Sequence, residues 1–171
     1  MSEFKYTLSA IGQDSHRFTD ENKPLILGGV VFEGSRGMLA NSDGDVVLHA
    51  LTNAVSGLTA RNILGAPADE LCKKGITDSA VYLQVALDGL KEKNMRLMHI
   101  SVSIECKTPK ISPKVDEMRA KIGELCNVPQ DEVGITAYSN WAMSYLLSHL
   151  NIPTGISNIF TFATSTILIL V

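Results

Sequence analysis

One carboxylate and two imidazoles in the first third of the chain have the residue types and the spacing of a metal-binding set. Asp14 and His16 lie two residues apart just after the first predicted strand, and in an extended segment side chains at i and i+2 point the same way. His49 follows an acidic loop and lies about one turn inside a predicted helix. Three such donors suit zinc with an open fourth position, where the ion can act as a Lewis acid on a substrate oxygen.

The same residues also have an ordinary structural interpretation, because Asp-x-His is a common tripeptide. In that alternative Asp14 is a surface residue, His16 is hydrogen-bonded and His49 faces the core. Asp45 precedes His49 by four residues and shares its face of the predicted helix. We therefore expect Asp45 to orient the imidazole of His49 if the metal site exists.

Apolar periodicity and turn residues predict strands and helices that alternate along the chain. Strands are predicted at residues 4–11, 25–32, 97–105, 133–138 and 159–171, with a bulge or close approach at Gly28-Gly29 in the second. Helices are predicted from a cap at Ser42 or Asp43 to about Gly57, from Thr77 or Asp78 to about Asn94, from Ser112 onward, and at residues 141–150. Residues 61–75 are predicted to be irregular. The order predicts an α+β fold, one domain over residues 1–171, with helices packed on one face of a mixed β-sheet.

The composition excludes several classes of protein. The 171 residues are 45% hydrophobic and 19% charged, which argues against intrinsic disorder. A net charge of −3 offers no basic surface for a nucleic-acid partner. Three well-separated cysteines suggest neither a disulfide framework nor a zinc knuckle. The thirteen apolar residues 159–171 are shorter than the ~20 that span a bilayer, and the first residues lack a signal core, so we expect a cytoplasmic protein without a membrane partner.

Five collinear segments resemble the 2-C-methyl-D-erythritol 2,4-cyclodiphosphate synthase family. They are residues 11–18 (IGQDSHRF), residues 27–30 (LGGV), residues 37–52 (GMLANSDGDVVLHALT), Asp78-Ser79, and residues 108–113 (TPKISP). The third segment is the most specific match. The resemblance covers about residues 5–137 and, more loosely, the last strand.

The resemblance implies a homotrimer of small α+β subunits with active sites between neighbouring chains. It assigns Asp14, His16 and His49 to zinc. It implies a phosphorus-oxygen lyase of isoprenoid precursor synthesis, in which a 2-phosphate attacks the β-phosphorus of a cytidine diphosphate ester and cytidine monophosphate leaves. Positioning and charge neutralisation carry most of such a reaction.

The resemblance also assigns substrate-contacting residues. Asn41-Ser42 matches a His-Ser pair whose histidine helps hold the substrate phosphates, and we take Asn41, Ser42 and Asp45 as candidate catalytic residues. The cytosine-wrapping loop of the family, which acts largely through backbone groups, matches residues 108–112. The candidate substrate-binding residues are Pro109, Lys110, Ile111, Ser112, Asn62, Tyr138 and Ser139.

Several positions depart from the pattern of the family. Asn41 replaces a histidine, whereas Asn53 and Asn62 each replace an aspartate, the second of which usually binds ribose. Trp141 stands where a glutamate of the family holds magnesium, and an indole cannot ligate a metal. Because Mg²⁺ is held by few protein oxygens, we expect magnesium binding to be weakened or lost.

Two hypotheses follow for the function. In the first, the chain is a divergent synthase that still cyclises the usual substrate. In the second, it is a paralogue that keeps the trimeric, zinc-binding fold but acts on another nucleotide or phosphate ester, or binds a ligand without catalysis. The stretch 138–141 separates them, unless a carboxylate from elsewhere, such as Asp69 or Glu70, reaches the metal.

Overall fold

A mixed four-stranded sheet forms the frame of the protein. The computed structural model describes residues 7–106, 108–138 and 160–170. The strands, in sheet order, are β1 (Thr7–Arg17), β6 (Phe160–Leu170), β4 (Arg96–Glu105) and β5 (Val133–Tyr138). Strand β6 is antiparallel to both β1 and β4, whereas β4 and β5 are parallel. The predicted strands at 97–105 and 133–138 are confirmed, and the one at 159–171 is confirmed over the described residues 160–170. The strand predicted at 4–11 is longer than expected, because β1 continues to Arg17.

Four helices lie among the described residues, and one of them forms the centre of the core. They are α1 (Val46–Thr59), α2 (Ala66–Lys73), α3 (Ser79–Glu92) and α4 (Val115–Cys126). Helix α1 packs on β1 and β6 on one side and on α3 on another, while α4 packs against β5. Eleven of the 14 residues of α1 are buried. The α+β class with a mixed sheet is confirmed, and none of the described helices is long and apolar enough to cross a membrane.

A glycine sets the close approach of α1 to β1. Gly12 is buried, and a Cβ built on it would lie only 2.0 Å from the carbonyl oxygen of Ala50 and 2.3 Å from the amide nitrogen of Ala54. Any side chain at this position would therefore collide with the helix backbone. Gly12 precedes Asp14 and His16 at i+2 and i+4 on the same strand face, so the close contact also brings His49 toward these two residues.

The segment predicted as one strand at 25–32 is a β-hairpin instead. Strand β2 (Pro24–Leu27) pairs antiparallel with β3 (Val30–Arg36), and Leu27 is opposite Val30. Gly28 and Gly29 form the turn with φ of 61° and 75°. Two successive positive φ angles are typical of a two-residue hairpin turn, and glycine adopts them without strain. The glycine pair was therefore interpreted correctly as a backbone irregularity but wrongly as one within a single strand.

The helix boundaries differ from the predictions at three places. The cap of α1 is Asp45, not Ser42 or Asp43. Residues 61–75, predicted to be irregular, contain α2, in whose first turn Pro67 is tolerated because the N–H group there needs no partner. A 3₁₀ turn (Ser112–Lys114) precedes α4. The cap predicted at Asp78 for α3 is confirmed, and the helix predicted at 141–150 lies outside the described residues.

Candidate metal centre

The side chains of Asp14, His16 and His49 converge on one point between β1 and α1. The Oδ2 atom of Asp14 lies 2.9 Å from Nδ1 of His49 and 3.1 Å from Nε2 of His16. The two ring nitrogens lie 3.3 Å apart. The predicted set is therefore brought together, although its members are up to 35 residues apart in the sequence.

The donor set fits zinc. Ligands about 2.0–2.1 Å from a tetrahedral ion lie about 3.3 Å from one another. The three observed separations of 2.9, 3.1 and 3.3 Å are close to that edge length. Two imidazoles and one carboxylate are also the donor types that zinc takes in catalytic sites. Among the described residues this is the one group of His, Cys, Asp and Glu side chains with metal-binding geometry.

The three side chains of the candidate metal centre are buried to different degrees. The His49 side chain is 9% exposed, whereas those of Asp14 and His16 are 22% and 24% exposed. Burial raises the pKa of Asp14, but hydrogen bonds with His16 and His49 outweigh that effect and hold the pKa well below its usual range. Asp14 is consequently a carboxylate at neutral pH, as a metal ligand must be.

A cavity of about 560 Å³ opens over the metal centre. Its wall includes the candidate catalytic residues Asn41 and Ser42. It also includes Asn53, which replaces an aspartate of the family. The amide Nδ2 of Asn53 donates to the carbonyl oxygen of Gln13 at 3.0 Å, next to the candidate ligand Asp14 in the sequence. The remaining lining residues include Glu21, Leu39, Ala40, Leu64, Asp69, Cys72 and Tyr82.

The other ring nitrogen of His49 has two hydroxyl neighbours. Its Nε2 atom lies 2.8 Å from Oγ of Ser79 and 3.3 Å from Oγ of Ser42. The sequence indicates Ser79 only as part of the Asp78-Ser79 match to the family and as the start of a helix. Its contact with His49 spans 30 residues, so no local pattern in the sequence could have indicated it.

The predicted role of Asp45 as the residue that orients the imidazole is wrong. Its carboxylate accepts four backbone N–H bonds, from Gly28, Gly29, Val47 and Leu48, at 2.6–3.0 Å. Asp45 therefore caps α1 and joins it to the turn of the β2–β3 hairpin. Burial raises the pKa of Asp45 to about 6, while the N–H bonds from Gly29, Leu48 and Gly28 act in the opposite direction.

The predicted cytosine loop lies away from the cavity in the single chain. Pro109 lines a separate cavity of about 390 Å³ with Phe18 and Gly34. Ile111 is buried, and Lys110 and Ser112 are exposed. None of these residues lines the 560 Å³ cavity.

The remaining predicted residues divide into three cases. Asn62 is exposed and is not among the residues that line the cavity. The backbone of Tyr138 pairs with Glu105 at the end of β5. Ser139 and Trp141 lie outside the described residues. Of the two carboxylates proposed as replacements for the glutamate of the family, Asp69 lines the cavity but is not part of the metal-binding group, and Glu70 does not line it.

Comparison with known proteins gives one consistent result. The YgbB family profile matches residues 8–152. A 2-C-methyl-D-erythritol 2,4-cyclodiphosphate synthase from Chlamydia trachomatis serovar L2b is 53% identical over 132 residues, which are 75% of this chain and 74% of the relative. The synthase from Chlamydia caviae is 52% identical over 137 residues, 78% of this chain and 77% of the relative.

Solved structures agree with the sequence comparison. A 2C-methyl-D-erythritol-2,4-cyclodiphosphate synthase in its CDP-bound form superposes with a TM-score of 0.79 at 25% identity, covering 95% of this chain and 99% of the other. The bifunctional IspDF from Campylobacter jejuni gives a TM-score of 0.82 at 23% identity and covers 98% of this chain and 43% of that protein. With matches over most of its length in sequence and in fold, the chain belongs to the YgbB family, and the curated relatives it matches are 2-C-methyl-D-erythritol 2,4-cyclodiphosphate synthases.

Proposed function

We propose that the chain is a 2-C-methyl-D-erythritol 2,4-cyclodiphosphate synthase, a phosphorus-oxygen lyase that uses zinc. The observation that carries the proposal is the Asp14–His16–His49 group, whose ligand-to-ligand spacings suit zinc and which lies at a cavity of about 560 Å³. About half identity to the curated synthases supports the same reaction. In that reaction an oxygen of the 2-phosphate forms a bond to the β-phosphorus, the bond from that phosphorus to cytidine monophosphate breaks, and a cyclic diphosphate remains.

The residues of the cavity supply positioning rather than covalent chemistry. Zinc held by the three ligands would supply positive charge to the phosphate oxygens. Ser42 and Asn41 border the cavity beside His49, where a hydroxyl and an amide can donate hydrogen bonds to phosphate. Lys23 donates from Nζ to the carbonyl oxygens of Ala40 and Ser42 and so holds this wall in place. An ordered wall keeps the attacking and leaving oxygens in line, and such alignment carries most of a phosphoryl transfer.

We propose further that the active site is completed by a neighbouring copy of the chain. The loop that resembles the cytosine-binding loop does not line the cavity of its own chain. A homotrimer would bring the loop of one subunit to the metal centre of the next. Light scattering should then give about three times the 18.5 kDa of one chain. A monomer at working concentration would contradict the shared site.

The decisive experiment follows the products by phosphorus NMR. The purified protein is incubated with zinc, magnesium and the cytidine diphosphate ester of methylerythritol 2-phosphate. We expect cyclic diphosphate and cytidine monophosphate in equal amounts. His49→Ala should abolish both turnover and zinc binding, whereas the matched variant His99→Ala, at an exposed histidine paired with Glu132 on the protein surface, should keep both. No turnover by zinc-loaded wild type would overturn the proposal and favour the paralogue hypothesis.

A further inference from the structure

The imidazole of His49 faces two different environments through its two nitrogens. Nδ1 points into the metal-binding group, 2.9 Å from Oδ2 of Asp14. Nε2 points the other way, to Oγ of Ser79 at 2.8 Å. Ser79 is the first residue of α3 and is fully buried. The nitrogen that would bind zinc is therefore on one side of the ring and a buried hydroxyl is on the other.

The Ser79 hydroxyl is itself held by a carboxylate. Its Oγ makes a short hydrogen bond to Oδ1 of Asp43, and the backbone N–H of Ser79 donates to Oδ2 of the same residue at 3.0 Å. Asp43 is fixed in turn, because its backbone N–H donates to the carbonyl oxygen of Thr77 at 2.8 Å and its Oδ1 accepts from the backbone N–H of Asp45 at 3.1 Å. Asp43 thus joins the start of α1 to the start of α3, directly behind the His49 ring.

The chemistry of the three groups fixes the direction of the hydrogen bonds. An ionised carboxylate can only accept, so the Ser79 hydroxyl donates to Asp43. The lone pairs on Ser79 Oγ are then left to accept from Nε2–H of His49. A proton on Nε2 leaves Nδ1 with a free lone pair directed at Asp14 and His16, as a metal ligand requires. Ser42 is a more distant neighbour of Nε2, and its Oγ accepts from the backbone N–H of Gly44 at 3.2 Å.

We infer that Ser79 and Asp43 are positioning residues for the metal centre, which set the tautomer and the ring orientation of His49. The inference rests on the zinc site proposed above and assigns it a supporting pair from the α1–α3 contact. Neither residue belongs to the candidate metal group or lines the cavity above it. Hydrogen-bond partners behind a metal-binding histidine typically change metal affinity by about 10- to 100-fold when they are removed.

The test compares zinc affinity in two buried serine variants. Ser79→Ala removes the bond to His49, whereas Ser56→Ala removes a buried hydroxyl of α1 that has no hydrogen-bond partner in the described structure. Competition with a chromophoric chelator should show zinc binding weakened about 10- to 100-fold in Ser79→Ala. Ser56→Ala should bind zinc as the wild type does. Equal affinity of Ser79→Ala and wild type, with both folded by circular dichroism, would overturn the inference.

A second readout and a second variant separate positioning from a general loss of folding. In zinc-loaded wild type, the hydrogen-bonded Nε2 proton of His49 should give a downfield, slowly exchanging NMR signal, which Ser79→Ala should lose. Asp43→Asn keeps the side-chain shape but removes the charge, and it should weaken zinc binding at least severalfold. If Ser79→Ala does not fold, a folded Asp43→Asn with wild-type affinity overturns the inference.

The outcomes also distinguish this inference from the proposed function. Wild type that binds no zinc would overturn the metal centre and the inference together. Wild type that binds zinc as tightly as its variants would overturn only the role of Ser79 and Asp43. Zinc-bound wild type that turns over no substrate would overturn the proposed reaction and leave the inference standing.

Discussion

The carboxylate of Asp45 provides the sharpest test of how the site is built, because it holds two elements together. Its Oδ1 accepts from Gly28, Val47 and Leu48, and its Oδ2 accepts from Gly29. Two of these donors belong to the first turn of α1 and two to the hairpin turn. The Asp45 side chain is fully buried, and Asp45→Ala would leave all four N–H groups without this acceptor.

The expected cost follows from these bonds. Loss of a helix cap alone costs about 1 kcal/mol. A buried N–H left unsatisfied costs about 1–3 kcal/mol more, and the donor at Gly28 is in the interior. We therefore expect Asp45→Ala to lower the free energy of unfolding by about 2–4 kcal/mol, a large share of the 5–15 kcal/mol typical of a domain.

The chain offers a matched control at the other capped helix. Asp78 caps α3 through a single exposed bond from Ala80 N–H at 2.8 Å, so Asp78→Ala should cost only about 1 kcal/mol. Urea unfolding at one fixed protein concentration should show the larger midpoint shift, about 1–2 M at an m-value of about 2 kcal/mol/M, for Asp45→Ala. Equal midpoints for the two variants would refute the conclusion that Asp45 joins the hairpin to α1.

Three further predictions concern the strand–helix contact, the cavity and the metal. In urea unfolding, Gly12→Ala should destabilise the protein by about 3 kcal/mol or more, because the added Cβ would collide with the α1 backbone. The same variant should also bind zinc more weakly. Gly57→Ala, at a position of α1 with no atom within 4 Å of the added Cβ, should be neutral or stabilise the protein by up to ~1 kcal/mol. With a chromogenic disulfide reagent at pH 8, Cys72 should react before Cys126. Cys72 is partly exposed in the cavity wall, whereas Cys126 is buried and burial raises the pKa of its thiol to about 12. Fast labelling of Cys126 would contradict this order. Removal of zinc by a chelator should lower the melting temperature by about 5–10 °C, because an ion present at 100 times its Kd stabilises the folded state by about 2.7 kcal/mol. An unchanged melting temperature, with zinc shown to be present beforehand, would mean that the ion does not bind preferentially to the folded chain.

Local patterns in the sequence were sufficient to predict the three residues that the structure brings together in the candidate metal centre. The i, i+2 spacing of Asp14 and His16 determines that both side chains lie on one face of β1. The apolar residues on both sides of His49 predict that it lies inside a buried helix. The sequence alone does not show that this helix packs on the strand. In the structure the two elements are in contact at Gly12.

The failed predictions depend on partners that are distant in the sequence. Asp45 was expected to contact His49 because the two are one helical turn apart, but its carboxylate bonds to Gly28 and Gly29, 16–17 residues earlier. Helix α2 was missed because only Ala68 among its eight residues is buried. A helix with so little buried surface shows no apolar stripe in the sequence.

Asn53 shows how the structure changes the meaning of a departure from the family pattern. The family usually has an aspartate at this position, so the sequence alone indicates the loss of a negative charge. In the structure the amide of Asn53 donates to the carbonyl oxygen of Gln13, which a carboxylate could not do, and so holds β1 in place immediately before the candidate ligand Asp14. The neutral amide also leaves one negative charge fewer in a cavity that Asp14 and Asp69 line. Because like charges repel most strongly away from water, an amide at this position is compatible with an anionic phosphate ligand, and the departure is no argument against the proposed reaction.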